Sequence, residues 1–137
     1  MTAFSEMFFS AAICAAMFGG ADEVQTDIIL NEDAGYIRAD CITDTHYIEV
    51  GFDNTASSRD SIVQAVSGAI QRDLEPMVVV IDTDGVEDTH QWELEVTAAR
   101  ADVAFRVVHL NTALRIAMTR HSRTLRSHTL ALTVPAN

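Results

Sequence analysis

Lysine is absent from this chain of 137 residues, so every fixed positive charge belongs to an arginine. Cysteine is scarce: Cys14 and Cys41 are the two present, and neither lies in a CxxC motif. This scarcity argues against a disulfide-rich scaffold and against a cysteine-ligated zinc site. Proline and glycine are few and scattered, so no linker divides the chain. We expect a globular fold whose cysteines are buried thiols in a reducing, cytoplasmic compartment.

Acidic residues outnumber basic ones, and the two signs are separated along the chain. The formal net charge is -11, and residues 101–137 carry five arginines against one acid. An acidic protein is poorly suited to nonspecific nucleic-acid binding, which depends on neutralising phosphates, so nucleic acid is the weaker candidate partner. The basic end, with Arg115, Arg120, Arg123 and Arg126, is either a solvated helix face, a phosphate contact or a surface for the acidic body of a second subunit. We expect a homodimer.

Long apolar runs are also few, and the first of them covers residues 4–18. It lacks the basic segment of a signal peptide, since Glu6 stands where a positive charge belongs. It is too short to cross a bilayer. Its composition predicts a buried helix that ends at Gly19 and Gly20, with no membrane association.

The remaining pattern alternates between strand and helix signals. The run MVVVI at 77–81 predicts a strand buried on both faces. The order α-β-β-β-α-β-α-β therefore predicts a mixed α/β core in residues 1–110, with a basic helical extension in 111–137 as a dimerisation arm. Strands are expected at about 23–30, 36–43, 46–52, 77–81 and 103–108, and further helices at about 59–72, 87–100 and 112–122.

The turn at Asp44 and Thr45 determines which residues of the second and third strands face each other. If the hairpin is symmetric there, paired residue numbers sum to 89 and Asp40 lies opposite Glu49. Their Cβ atoms would then be about 4.5–5.5 Å apart on one sheet face, where like charges repel. A divalent cation or a shared proton would offset the repulsion. The plain alternative is that both side chains point into solvent.

The stretch RADCITDTHYIEVGF, followed by SIVQAV on a helix and then PMVVVIDTDG, resembles the core of the PD-(D/E)XK, or restriction-endonuclease-like, nuclease superfamily. It is most similar to small uncharacterised bacterial proteins of that type, over about residues 20–108. The resemblance implies a restriction-endonuclease-like mixed sheet in which Asp40 and Glu49 bind catalytic Mg²⁺ or Mn²⁺. It also implies that Gln64 lies beside the site, with Glu23 as a third carboxylate.

The sequence departs from that superfamily at two positions. The lysine expected two residues after the second acid is Gly51, and the aromatic residue expected four after the glutamine is Gly68. The lysine would stabilise developing negative charge, a contribution often worth several kcal/mol. Arg38, opposite Gly51 in the predicted hairpin, and Arg59 are the nearest substitutes, but arginine does not relay protons.

Competing motifs centre on VVVIDTDGVE. Asp82 at the end of a strand resembles the nucleophile of haloacid-dehalogenase-type phosphatases, although no lysine or later acidic pair accompanies it. A TOPRIM-like site would instead group Glu49 with Asp82 and Asp84. The simplest interpretation is a strand-to-helix turn.

Two functions therefore remain open. The first is a metal-dependent nuclease-like domain that hydrolyses phosphodiester bonds, with Asp40, Glu49 and Gln64 as its catalytic residues. The second is a catalytically degenerate protein that keeps the nuclease scaffold for binding or assembly. Loss of the lysine favours the second, and retention of the acid pair favours the first.

Overall fold

The structure, a computed structural model, describes residues 3–30 and 33–119. Helix α1 (Ala3–Ile13) continues as a π-helical turn to Phe18 and ends at Gly19, whose left-handed φ of 62° stops the helix where the sequence predicts. The other elements follow in the predicted order. They are β1 (Ala21–Leu30), β2 (Asp33–Ile42), β3 (His46–Phe52), α2 (Asp60–Arg72, after a short 3₁₀ turn), β4 (Glu75–Asp82), α3 (Thr89–Arg100), β5 (Ala104–His109) and α4 (helical over residues 110–119).

The described strands form one sheet in the order β1-β2-β3-β4-β5. The β1–β2 and β2–β3 pairs are antiparallel, and the β3–β4 and β4–β5 pairs are parallel. Two of the parallel strands are each preceded by a helix, α2 or α3, because a parallel connection needs a crossover. The predicted mixed α/β class is therefore confirmed.

Helices cover both faces of the sheet. One core layer joins α1 and α4 to side chains such as Ile48, Val50 and Val79. The other joins α2 and α3 to Val78 and Val80. Because alternate residues of β4 enter opposite layers, the whole segment from Met77 to Asp82 is buried. The prediction of a strand covered on both faces is confirmed.

The beginning of the predicted C-terminal arm is part of the core. Ala113, Ile116 and Ala117 are buried in the same layer as α1. Residues 111–119 therefore belong to the α/β domain, and a separate arm beginning at residue 111 is wrong for this stretch. The other arginines of the predicted basic arm, Arg120, Arg123 and Arg126, lie outside the described residues.

The two cysteines are bonded to each other. The α carbons of Cys14 and Cys41 are 5.4 Å apart, and their sulfur atoms form a disulfide that ties the end of α1 to β2. The prediction of two separate thiols is wrong, because packing α1 on the sheet brings together residues 27 positions apart. In the described part of the chain, no helix combines the length and apolar character needed to span a membrane.

Candidate metal centre

The hairpin of β2 and β3 has the register predicted from the sequence. Cys41 lies opposite Ile48 and Ile42 opposite Tyr47, and the ladder ends there. Asp40 and Glu49 are the next residues on their strands, and their side chains are hydrogen-bonded to each other. Asp40 Oδ2 accepts the backbone N–H of Val50 at 2.8 Å. The Glu49 side chain is buried, with 5% of its surface exposed. The two carboxylates are thus neighbours, with Glu49 buried and Asp40 half-buried, and the solvent-exposed alternative is wrong for Glu49.

A third carboxylate lies beside this pair on the next strand. Val24 is opposite Ala39 in the β1–β2 ladder, and the same register places Glu23 opposite Asp40. Glu23 has a φ of 54°, an uncommon left-handed conformation for a residue inside a strand. Its carboxylate lies 3.5 Å from the Arg38 guanidinium. The acids predicted from three strands therefore form a row across β1, β2 and β3.

Burial dominates the protonation of the central pair. It raises the pKa of Glu49 to about 9, with the charge of Asp40 as the next cause. Burial also raises the pKa of Asp40, opposed by the hydrogen bonds from Val50 and with Glu49. Two adjacent carboxylates in an apolar setting cannot both stay ionised without compensation. At neutral pH, the pair therefore requires either a proton or a cation.

A cavity of about 420 Å³ opens over these carboxylates. It combines the predicted Gln64 of α2 with Arg38, Asp40 and Glu49. The structure thus brings the predicted glutamine to the same cavity as the acid pair. The side chain of Ser61, from the first turn of α2, lines it as well.

The cavity also contains an acid that the sequence interpretation missed. Glu6 of α1 lines it, and burial followed by the charge of Asp40 raises the pKa of Glu6. Its spacing could have revealed it: Glu6 lies three residues before Phe9 and seven before Ile13, and both of these are buried in the core. An acid on the apolar face of a helix needs a polar partner.

The position expected to hold the superfamily's lysine is closed. A Cβ atom added to Gly51 would come within 2.8 Å of Ser58 Oγ and 3.4 Å of Ser61 Oγ. A side chain at this position would require Ser58, in the 3₁₀ turn before α2, to shift. Of the two arginines considered as substitutes, Arg59 pairs with Glu93 of α3 at 2.8 Å, and Arg38 lines the cavity. Among the described residues, Arg38 is therefore the cation that lines the cavity.

The competing acidic motif forms a turn. Asp82 Oδ1 accepts the backbone N–H groups of Asp84 at 3.2 Å and Gly85 at 2.8 Å, and Gly85 has a φ of 75°. Glu49 pairs with Val78, four residues before Asp82. That separation is about 13 Å along a strand, too far for a shared ion. The TOPRIM-like grouping is wrong, and the turn interpretation is confirmed.

We compared the chain with protein-family models, curated proteins and solved structures, and none of the three comparisons found a match. The resemblance to the PD-(D/E)XK superfamily thus rests on the motif residues quoted above.

Proposed function

We propose that the chain is a metal-dependent nuclease-like domain whose ion is held by Asp40 and Glu49. The observation that carries the proposal is the adjacent position of these two carboxylates, Glu49 buried and Asp40 half-buried, beside a cavity. Oxygen ligands of this kind suit Mg²⁺ or Mn²⁺. Glu23 and Glu6 add negative charge near the pair, which further favours a divalent cation over a single proton.

A bound Mg²⁺ or Mn²⁺ would supply an activated water and a Lewis acid for a phosphodiester. The chain's own residues would orient that substrate. The guanidinium of Arg38 suits a phosphate oxygen, since its planar donors match phosphate geometry. The Gln64 amide, on the exposed side of α2, offers a donor and an acceptor toward the substrate or its water.

A catalytically degenerate binding or assembly module is the second candidate. It is favoured by the closed pocket at Gly51, where Ser58 and Ser61 occupy the space of the superfamily's lysine side chain. Such a protein would keep the ion-binding acids without hydrolysing a phosphodiester. The two functions make the same prediction for metal binding and differ in cleavage.

Calorimetric titration with Mn²⁺ tests the metal centre. We expect the wild-type chain to bind Mn²⁺ and Asp40→Asn to bind it at least about tenfold more weakly, a loss of roughly 1.4 kcal/mol. Asparagine keeps an oxygen that can accept the Val50 N–H while removing the charge. Asp22→Asn, an exposed position on β1, is the matched control and should bind as the wild type does. Absence of Mn²⁺ binding by the wild type would sink the proposal.

Cleavage separates the two candidate functions. The Mn²⁺-loaded protein is incubated with end-labelled single-stranded DNA, duplex DNA and RNA, with Asp40→Asn as the blank. Cleavage that Asp40→Asn abolishes supports the nuclease. Mn²⁺ binding without any cleavage supports the degenerate module.

We further propose that the chain forms a homodimer through its basic end. In the described part of that end, the Arg115 side chain is exposed on α4, and the rest of the chain is strongly acidic. We expect the full chain to sediment as a dimer and a chain ending at residue 119 to sediment as a monomer. Equal association of the two forms would contradict this interface.

The cytoplasmic location is also a proposal, and the disulfide counts against it because such bonds persist in oxidising compartments.

A further inference from the structure

A second acidic cluster lies at the other end of β3. One carboxylate oxygen from each of Asp53, Asp84 and Asp88 lies within 4.8 Å of the others. Asp53 follows the last residue of β3, and its backbone N–H extends the ladder to Ile81 at 3.0 Å. It is four residues beyond Glu49, or about 13 Å along the strand, so this cluster is separate from the candidate metal centre.

Asp53 is the unusual member of the cluster. Its side chain is completely buried, and its Oδ1 accepts the Thr83 backbone N–H at 3.1 Å and the Thr83 hydroxyl at 2.7 Å. Among the described residues, nothing donates a hydrogen bond to its Oδ2. Burying a hydrogen-bond acceptor without a donor lowers the free energy of unfolding, and burying a charged acceptor lowers it further. This oxygen therefore points to a ligand or to a proton shared with Asp82, whose side chain is within hydrogen-bond reach of Asp53.

The other two acids are placed by local structure. Asp84 is exposed and accepts the Val86 N–H at 2.9 Å. Asp88 caps α3 by accepting the Gln91 N–H at 3.0 Å. Each of these hydrogen bonds uses Oδ1 and fixes the carboxylate in the loop between β4 and α3. The cluster thus joins the end of β3 to the start of α3.

We propose that Asp53, Asp84 and Asp88 form a second divalent-cation site, of the kind that takes Ca²⁺. Calcium takes several oxygen ligands, carboxylates among them, at about 2.3–2.6 Å and in flexible geometry. Three carboxylates converge here, and two of them come from the loop between β4 and α3, so the ligand set suits Ca²⁺. The ion would neutralise the buried carboxylate of Asp53 and hold the loop before α3 in place.

A proton on Asp53 is the competing explanation. Burial raises the pKa of Asp53, and the charges of Asp84 and Asp82 act in the same direction. A protonated Asp53 would satisfy its own oxygen without any ion. The two explanations differ in what Ca²⁺ does to the protein, so metal binding decides between them.

Trp92 provides a readout close to this site. It is the one tryptophan of the chain, and its backbone N–H donates to the carbonyl of Asp88. Terbium, which mimics Ca²⁺, should therefore luminesce when it binds the full chain and Trp92 is excited. Ca²⁺ should displace it. We expect Asp53→Asn and Asp88→Asn each to weaken Ca²⁺ binding at least tenfold.

Matched variants separate loss of the site from loss of the fold. Asn at position 88 keeps the helix cap, and Asp73→Asn changes one charge at a left-handed position that Asn tolerates. Asp73→Asn should bind Ca²⁺ within about twofold of the wild type. Calorimetry with Ca²⁺ alone repeats the comparison without depending on Trp92. Absence of Ca²⁺ heat in the wild type, or equal Ca²⁺ affinity of Asp53→Asn, would overturn the proposal in favour of the proton.

Discussion

Replacing Glu49 with glutamine should stabilise the metal-free protein at pH 8 by on the order of 2–4 kcal/mol. Burial and the charge of Asp40 raise the pKa of Glu49 to about 9 in the folded protein, whereas the ordinary value is 4.5. The folded state therefore holds this proton more tightly than the unfolded chain does. Each pKa unit of that difference corresponds to about 1.4 kcal/mol, and relaxation of the site reduces the total.

The sign of the pH dependence follows from the same difference. The contribution of protonated Glu49 is fully present below about pH 4.5 and is lost as the pH rises through about 9. Metal-free wild type should thus lose stability steadily across this window. Glutamine stays neutral and keeps a donor, so Glu49→Gln should lack most of this slope.

Urea unfolding at pH 5, 7 and 9 in the presence of a chelator measures this slope. Glu95→Gln, an exposed position on α3, is the matched control and should keep the wild-type slope. Adding Mn²⁺ at pH 8 should restore the stability of the wild type, because a bound ion replaces the proton, and should do little for Glu49→Gln. A wild-type stability that does not change with pH, or a slope retained in Glu49→Gln, would refute the assignment.

The acid pair could be predicted because its placement depends on local rules. A short turn fixes the hairpin register, and the alternation of side chains then decides which residues share a face. These two rules were enough to predict that Asp40 and Glu49 are neighbours. The mixed α/β class also follows from the alternation of helix and strand along the chain.

What the sequence could not show depends on distant packing. The Cys14–Cys41 bond and the approach of Glu6 to the acid pair both result from how α1 lies on the sheet. The closure at Gly51 results from two serines of the following segment, which no spacing rule places. The burial of Asp53 likewise depends on the turn after β4, through the hydrogen bonds from Thr83. Each of these features joins elements whose separation is set by tertiary contacts.

The second departure from the superfamily, at Gly68, has a structural explanation of the same kind. A Cβ atom added there would lie 2.2–2.5 Å from the ring carbons of Tyr47, which is buried beside Ala39 and Ala69. The ring of Tyr47 on β3 therefore occupies the space over the helix at this point. Because glycine allows the contact, α2 approaches the sheet closely, with Gln64 one turn earlier in the same helix.

Gly68→Ala should consequently destabilise the protein by about 2 kcal/mol or more, despite the better helix propensity of alanine. That propensity would favour alanine by about 1 kcal/mol at a helix interior, whereas overpacking a rigid core costs about 1–3 kcal/mol and sometimes more. A methyl group so close to a buried ring is at the costly end of this range, because neither the ring nor the helix can move alone. Urea unfolding of Gly68→Ala against Ser67→Ala, its exposed neighbour, measures the difference.

A double variant tests whether Tyr47 is the cause. Tyr47→Leu removes the ring, so Gly68→Ala should cost much less in that background than in the wild type, with a coupling free energy above about 1 kcal/mol. Additive effects would place the strain elsewhere.

If α2 is pushed outward by Gly68→Ala, Gln64 moves away from the acid pair. Mn²⁺ affinity should then remain near that of the wild type, since Asp40 and Glu49 lie on strands, whereas any phosphodiester cleavage should fall.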